Sequence, residues 1–201
     1  LFRSSQHRHH AAARLAEKLH HQRVALGLVA SISHPGGNIT GVTSINAELA
    51  AKRLGVLRDL APQAAHFFAL INPGSMLTEP FIKDLDAAAA TLRIKIEVIR
   101  AGTVEEIEAA FVSLPQQPGN VLVFPPDPFF YIHRDRLGAL AVRHAVPAIF
   151  DVRDYVDAGG LASYGTDFLN VMELAGNYAG RILKGEKPAD LPVQAPTKYE
   201  L

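Results

Sequence analysis

The chain has 201 residues, no cysteine, equal numbers of acidic and basic side chains at 20 each, and an apolar fraction of 48%. That suffices for one domain, or for one lobe and part of a second; the balanced charge provides no field for nucleic acid or an anionic membrane, and the lack of thiols excludes a disulfide framework, thiolate metal sites and a cysteine nucleophile. No uncharged apolar run of about 18 residues occurs, and the opening LFRSSQHRHH lacks the apolar core of a signal peptide, so a mature or truncated soluble chain is expected.

In chain order, residues 46–62 place Leu49, Lys52/Arg53, Val56, Leu57 and Leu60 at helical spacing, with Asn46 as N-cap and Pro62 beyond the end. The run HFFALIN (66–72) closes on Asn-Pro-Gly, which marks a buried strand and a turn. A helix over 79–92 starts at Thr78 with Pro80 in its first turn, and a strand is expected over 94–100. Thr103 and Glu106 stand at capping-box spacing before a helix over 103–114. Next come a strand over 120–125, a helix over 128–144, a strand over 146–150, a short helix over 152–159 and a strand over 161–165. A long helix over 167–184 stops near Gly185; Lys198 to Leu201 begin a strand after a proline-rich connector.

Alternating strands and helices with short links mean parallel strands covered on both faces, because parallel neighbours need crossovers. The fold class is therefore α/β, a three-layer α/β/α Rossmann-like parallel sheet. In such sheets ligands sit beyond the carboxyl ends of the strands. That rule selects the loops 72–75, 100–102, 126–130, 151–153 and 163–165, and with them Asn72, Asp127, Phe129, Asp151, Arg153 and Tyr164.

Each candidate has a plainer role beside the functional one. Asp127 precedes Pro128 and Asp151 precedes a short helix, so both suit N-caps, with capping favoured for Asp151. Phe129 and Tyr164 either plug the sheet's edge or wall a pocket in which Arg153 meets a carboxylate; Tyr131 suits packing or surface. SHPGGNITG (33–41) matches neither a dinucleotide fingerprint nor a Walker loop, so a turn is expected and no cofactor. His7, His9, His10, His20 and His21 lack the one-turn spacing of a metal site, no Gly-x-Ser-x-Gly elbow occurs, and no catalytic or metal residue is assigned.

Three segments, GLVASISHPGGNITGVTSINAELAAKRLGVLRDLAP, DPFFYIHRDRLGALAVRHAVPAIFDVRDYVDAGGLASYG and AGRILKGEKPADLPVQAPTKYEL, together resemble the substrate-binding proteins of ABC importers of the tryptophan/tyrosine-uptake type. The resemblance runs from about Val24 to Leu201. It implies a type I periplasmic-binding-protein-like receptor, periplasmic or lipid-anchored and extracellular, that closes two lobes on a small molecule, an amino acid or similar carboxylate, and presents it to a membrane permease. It further implies that 1–37 is a remnant of the first lobe or a non-native leader. Residues 38–160 would be the second lobe, and 161–201 a hinge crossing with a first-lobe helix and a terminal connector. A chain lacking most of the first lobe is expected to bind its solute less tightly and to self-associate as a homodimer through its bared cleft or hinge surface. The alternative is a flavodoxin-like or hydrolase-like α/β enzyme using Asp127 and Arg153; a third reading is a structural module that dimerises through a sheet edge.

Overall fold

The computed structural model describes residues 29–43, 49–115 and 118–201. The five amino-terminal histidines singled out above and the expected cap Asn46 lie outside these residues. The chain divides into two compact units; one comprises Asn46–Thr166 with Tyr199–Leu201, and the other includes the described residues 29–43 and 167–198.

The first of these units is built on a five-stranded parallel sheet: β1 (His66–Ile71), β2 (Ile96–Arg100), β3 (Asn120–Val123), β4 (Ala148–Phe150) and β5 (Ala162–Ser163), in the order β2-β1-β3-β4-β5. Its helices are α1 (Ala50–Leu60), α2 (Thr78–Leu92), α3 (Val104–Ser113), α4 (Pro128–Ile132), α5 (Arg134–Arg143) and α6 (Asp154–Asp157). Alternate strand residues feed two separate cores. Phe67, Ala69 and Ile71 join Val121, Val123 and Ile149 under α1 and α2. Phe68 and Leu70 join Leu122, Ala148 and Phe150 under α3, α5 and the short helices α4 and α6. Burial on both faces explains why β1 and β3 read as unbroken apolar runs rather than as alternation.

Several boundaries depart from expectation for local reasons. Arg93 takes the left-handed conformation (φ 57°) as the C-cap of α2, and the Ile94 N–H returns to the Ala89 carbonyl, so β2 begins only at Ile96. Thr78 is the first helical residue rather than the cap; its hydroxyl donates to the Asn72 carbonyl at 2.5 Å. The helix expected over 128–144 breaks at His133 into α4 and α5. The strand expected over 161–165 breaks at Tyr164: β5 ends, and β6 (Gly165–Thr166) pairs antiparallel with β7 (Tyr199–Glu200). The capping box holds in part, with Thr103 accepting from the Glu106 N–H at 3.2 Å while the Glu106 carboxylate accepts from the Gly102 N–H at 2.7 Å. A glycine is obligatory at 138 in α5, where a Cβ would lie 2.1 Å from the Ala158 carbonyl oxygen.

In the other unit, residues 33–41 form the expected turn, with Gly36 at φ 72° and the Ala30 N–H bonded to the Pro35 carbonyl. Val42 and Gln194 make a parallel bridge. Helix α7 (Phe168–Leu183) starts at Asp167, whose carboxylate accepts from the Asn170 N–H at 3.0 Å, and ends before Gly185 at φ 101°. It buries Tyr178, whose hydroxyl donates to the Pro192 carbonyl at 2.5 Å. Phe168, Leu169, Met172, Ile182 and Leu183 along it are all exposed.

Candidate functional site

The strand order reverses between β1 and β3. The chain leaving β1 enters α2 on one face of the sheet, and the chain leaving β3 enters α4 on the other, so their first residues part at the carboxyl rim. Such a switch point is where open α/β sheets take ligands. Asn72 and Asp127 stand on its two sides and are joined: Asn72 Nδ2 donates to Asp127 Oδ1 at 3.2 Å and to Oδ2 at 3.3 Å. Asn72 is held by its own turn, its Oδ1 accepting from the Gly74 N–H at 2.9 Å.

Asp127 also caps α4, as expected. Its backbone is extended (φ −151°, ψ 128°), and Oδ1 accepts from the N–H groups of Phe129 at 2.8 Å and Phe130 at 3.3 Å. The residue is only 6% exposed. The aromatic pair behind it divides its work. Phe130 is fully buried and meets Phe124 edge-on at 5.7 Å, whereas Phe129 stays half-buried, tilted on Phe130 and edge-on to His133 at 5.0 Å. Tyr131 packs and bonds as well: its hydroxyl donates to Asp154 Oδ2 at 2.5 Å, and the Arg134 guanidinium lies 4.9 Å from its ring centre. The bond to Asp154, with burial second, pushes the Tyr131 phenol up from its ordinary range.

Asp151 follows β4 and is 8% exposed. It does not cap the next helix, correcting the expectation: α6 begins after Arg153, which provides no side-chain cap, because the chain makes a further bend before the helix starts. Arg153 points outward, its side chain 69% exposed, with Nε 3.9 Å from Asp157 one turn on. Tyr164 is half-buried against the core under α1 and α2, whereas Phe129 packs on the core under α3 to α6. The rim thus brings Asn72, Asp127 and Phe129 together, sets Phe129 and Tyr164 on opposite faces of the sheet, and leaves Arg153 out on its helix.

Three rim residues were not singled out from sequence. Arg53 is fully buried, and its Nε donates to the Tyr164 carbonyl at 2.8 Å. Lys52 carries its ammonium 5.8 Å from the Tyr164 ring centre. A signal existed: position 53 falls in the apolar stripe of its helix, where a buried cation must find a partner. Tyr155 is fully buried and stacks on Phe150 at 4.4 Å. Burial first, then the charges of Asp151 and Asp127, drive its phenol well above the usual range.

A cavity of about 450 Å³ lies at the other end of the sheet, lined by Phe111, Leu114, Asn120, His144 and Val146 among others, and shares no residue with the rim. Among the described residues no group of three or more His, Asp or Glu side chains is placed to hold a metal ion, and no helix is long and apolar enough to cross a membrane.

The sequence pattern of the family described as ABC transporter substrate binding protein matches residues 20–201. The chain belongs to that family. Its members are binding proteins, not enzymes, which sets aside the alternative of an enzyme using Asp127 and Arg153. A tyrosine-binding protein of Clostridioides difficile (strain R20291) is 27% identical over 183 residues, covering 89% of this chain and 51% of the relative. Two solved structures share the fold. One, of an ABC domain in complex with L-Trp from Streptococcus pneumoniae, matches with a TM-score of 0.73 and 22% identity over 89% of this chain and 61% of that one. The other, a conserved domain protein from Vibrio cholerae, matches with a TM-score of 0.76 and 21% identity over 89% and 60%. The architecture is type I periplasmic-binding-protein-like. The chain spans about half the length of the curated relative and about three fifths of these two structures.

Proposed function

We propose that the chain is the second lobe, with hinge and first-lobe elements, of an extracytoplasmic solute receptor that captures a small molecule, an amino acid or similar, for an ABC permease. In this reading residues 38–160 form the second lobe, and 161–201 supply a crossing, a first-lobe helix and a terminal connector. The full-length protein works in the periplasm or as a lipid-anchored extracellular receptor. Asn72, Asp127, Phe129, Asp151, Arg153 and Tyr164 contribute to the ligand site.

The observation that carries the proposal is the switch-point rim, where a buried, amide-bonded carboxylate and a half-buried aromatic ring adjoin. The relatives named for tyrosine and solved with L-Trp direct the choice of solute toward aromatic amino acids. The exposed apolar side chains of α7, Leu169, Met172 and Leu183 among them, favour self-association as a second property of this chain, since exposed apolar surface of that kind marks interaction sites.

Titration calorimetry with the common L-amino acids, beginning with tryptophan and tyrosine, tests the reading. The chain contains no tryptophan, so indole fluorescence reports on added L-tryptophan alone. Saturable binding of at least one amino acid is expected; an absence of response to every small solute refutes the receptor reading.

A further inference from the structure

Arg53 stands on the buried side of α1 with Ala50, Leu54 and Leu57 and is itself fully shut off from solvent. Hiding a guanidinium in an apolar core forfeits hydration that an apolar residue of the same volume would never lose, so the position calls for a reason. The bond it makes supplies one. Arg53 Nε donates to the Tyr164 carbonyl at 2.8 Å, joining α1 to a residue 111 positions further along the chain.

That carbonyl lies where the parallel ladder runs out. The Tyr164 N–H still bonds to the Phe150 carbonyl at 2.9 Å, a rung between β4 and the end of β5. In a continuing parallel ladder the next N–H of the neighbouring strand would serve the Tyr164 carbonyl. Here β4 stops at Phe150 and the chain bends, and the Arg53 guanidinium serves the carbonyl instead. Just beyond Tyr164 the chain enters β6, which pairs with β7 and not with the parallel sheet. A residue between two ladders and held only by its N–H could swivel its side chain; held at both backbone groups, it keeps one orientation. The ring so fixed is half-buried on the core under α1 and α2, with the Lys52 ammonium 5.8 Å from its centre.

We propose that Arg53 is a positioning residue for solute recognition: without touching the solute, it holds the Tyr164 ring at the carboxyl rim, in place before the solute arrives. A wall set in advance spares the cost of ordering it on binding. The inference rests on the receptor reading above, in which Tyr164 contributes to the ligand site, and deepens it.

The test uses the full 201-residue chain and the L-amino acid that it binds most tightly in the calorimetric screen, carried through a double-mutant cycle of Arg53→Met and Tyr164→Ala. Methionine refills the space with flexible apolar atoms, and circular dichroism checks that the fold is kept. Each single substitution weakens binding by about tenfold, within the range of coupling between residues in contact. In the Tyr164→Ala background, Arg53→Met weakens it by less than about twofold. Should the methionine variant fail to fold, Arg53→Gln, which keeps an N–H donor, enters the same cycle with a smaller loss that likewise vanishes beside Tyr164→Ala. Isotope-labelled tyrosine rings followed by NMR add a reading independent of affinity. The Arg53 variant moves or broadens the Tyr164 signal and leaves those of Tyr131, Tyr155 and Tyr178 in place. Equal loss of affinity in both backgrounds overturns the inference, because Arg53 then supports the fold at large rather than the ring. An unmoved Tyr164 signal, or a variant that binds like the unaltered chain, overturns it too, and each of these results leaves the receptor standing. If no amino acid binds the unaltered chain, the receptor reading itself falls and takes this one with it.

Discussion

Replacing Asp127 separates its two structural duties from its charge. Asp127→Ala removes the cap of α4, which costs about 1 kcal/mol at a typical N-cap, and strands the Asn72 amide that the carboxylate holds at 3.2 Å. A half-buried donor left without its partner adds about another 1 kcal/mol or more, giving a total of about 2–3 kcal/mol. For a chain of this size that lowers the melting temperature by roughly 5–10 °C. Asp127→Asn keeps one carbonyl oxygen for the Phe129 and Phe130 N–H groups, so it costs about 0.5 kcal/mol or less. Urea unfolding followed by far-ultraviolet circular dichroism measures both. If the two variants lose equal stability, the charge and not the geometry holds the turn; if the alanine is neutral, the cap and the Asn72 bond contribute nothing.

Further outcomes follow from the same structure. Gly138→Ala drives a methyl group into the Ala158 carbonyl and destabilises by about 1–3 kcal/mol, read from the urea midpoint; a neutral substitution would mean that the α5–α6 contact yields without cost. Arg53→Ala leaves a hole and an orphaned Tyr164 carbonyl and costs about 2–4 kcal/mol in the same assay, and lysine, without the fork of a guanidinium, does not restore it. The Tyr131 and Tyr155 phenols are both raised above their ordinary value of 10.0, so the folded state keeps their protons where the unfolded chain loses them. Their contribution is fully present below about pH 10 and declines as pH rises beyond it, and Tyr131→Phe makes that alkaline decline shallower in pH-dependent unfolding. Leu169→Glu and Leu183→Glu charge the exposed side of α7 and shift sedimentation toward monomer without loss of helix content; unchanged sedimentation of a self-associating chain would place the contact elsewhere.

The sheet was legible because parallel strands buried on both faces leave continuous apolar runs, as in HFFALI and NVLV, the first of them closed by a turn. The cap at Asp127 was legible from the Asp-Pro step. Asp151 was not, because a cap needs the helix to begin at the next residue, and the chain bends first. Nor does periodicity give strand order, which alone sends the chain after β1 and the chain after β3 to opposite faces. Without that order Phe129 and Tyr164 read as facing walls. Tyr155 escaped notice for another reason: whether a buried hydroxyl has a partner depends on three-dimensional neighbours, and no spacing along DVRDYVDAG announces it.

The two aromatic rings of the rim grow from separate hydrophobic masses, one on each side of a sheet that insulates them. Changes rooted in one mass have little means of disturbing the other, and the energetic effects of substitutions well apart from one another generally add. A recognition surface laid out in this way lends itself to piecemeal evolution: one flank can be recut for a new solute shape while the other keeps its grip, and intermediates along that route remain folded.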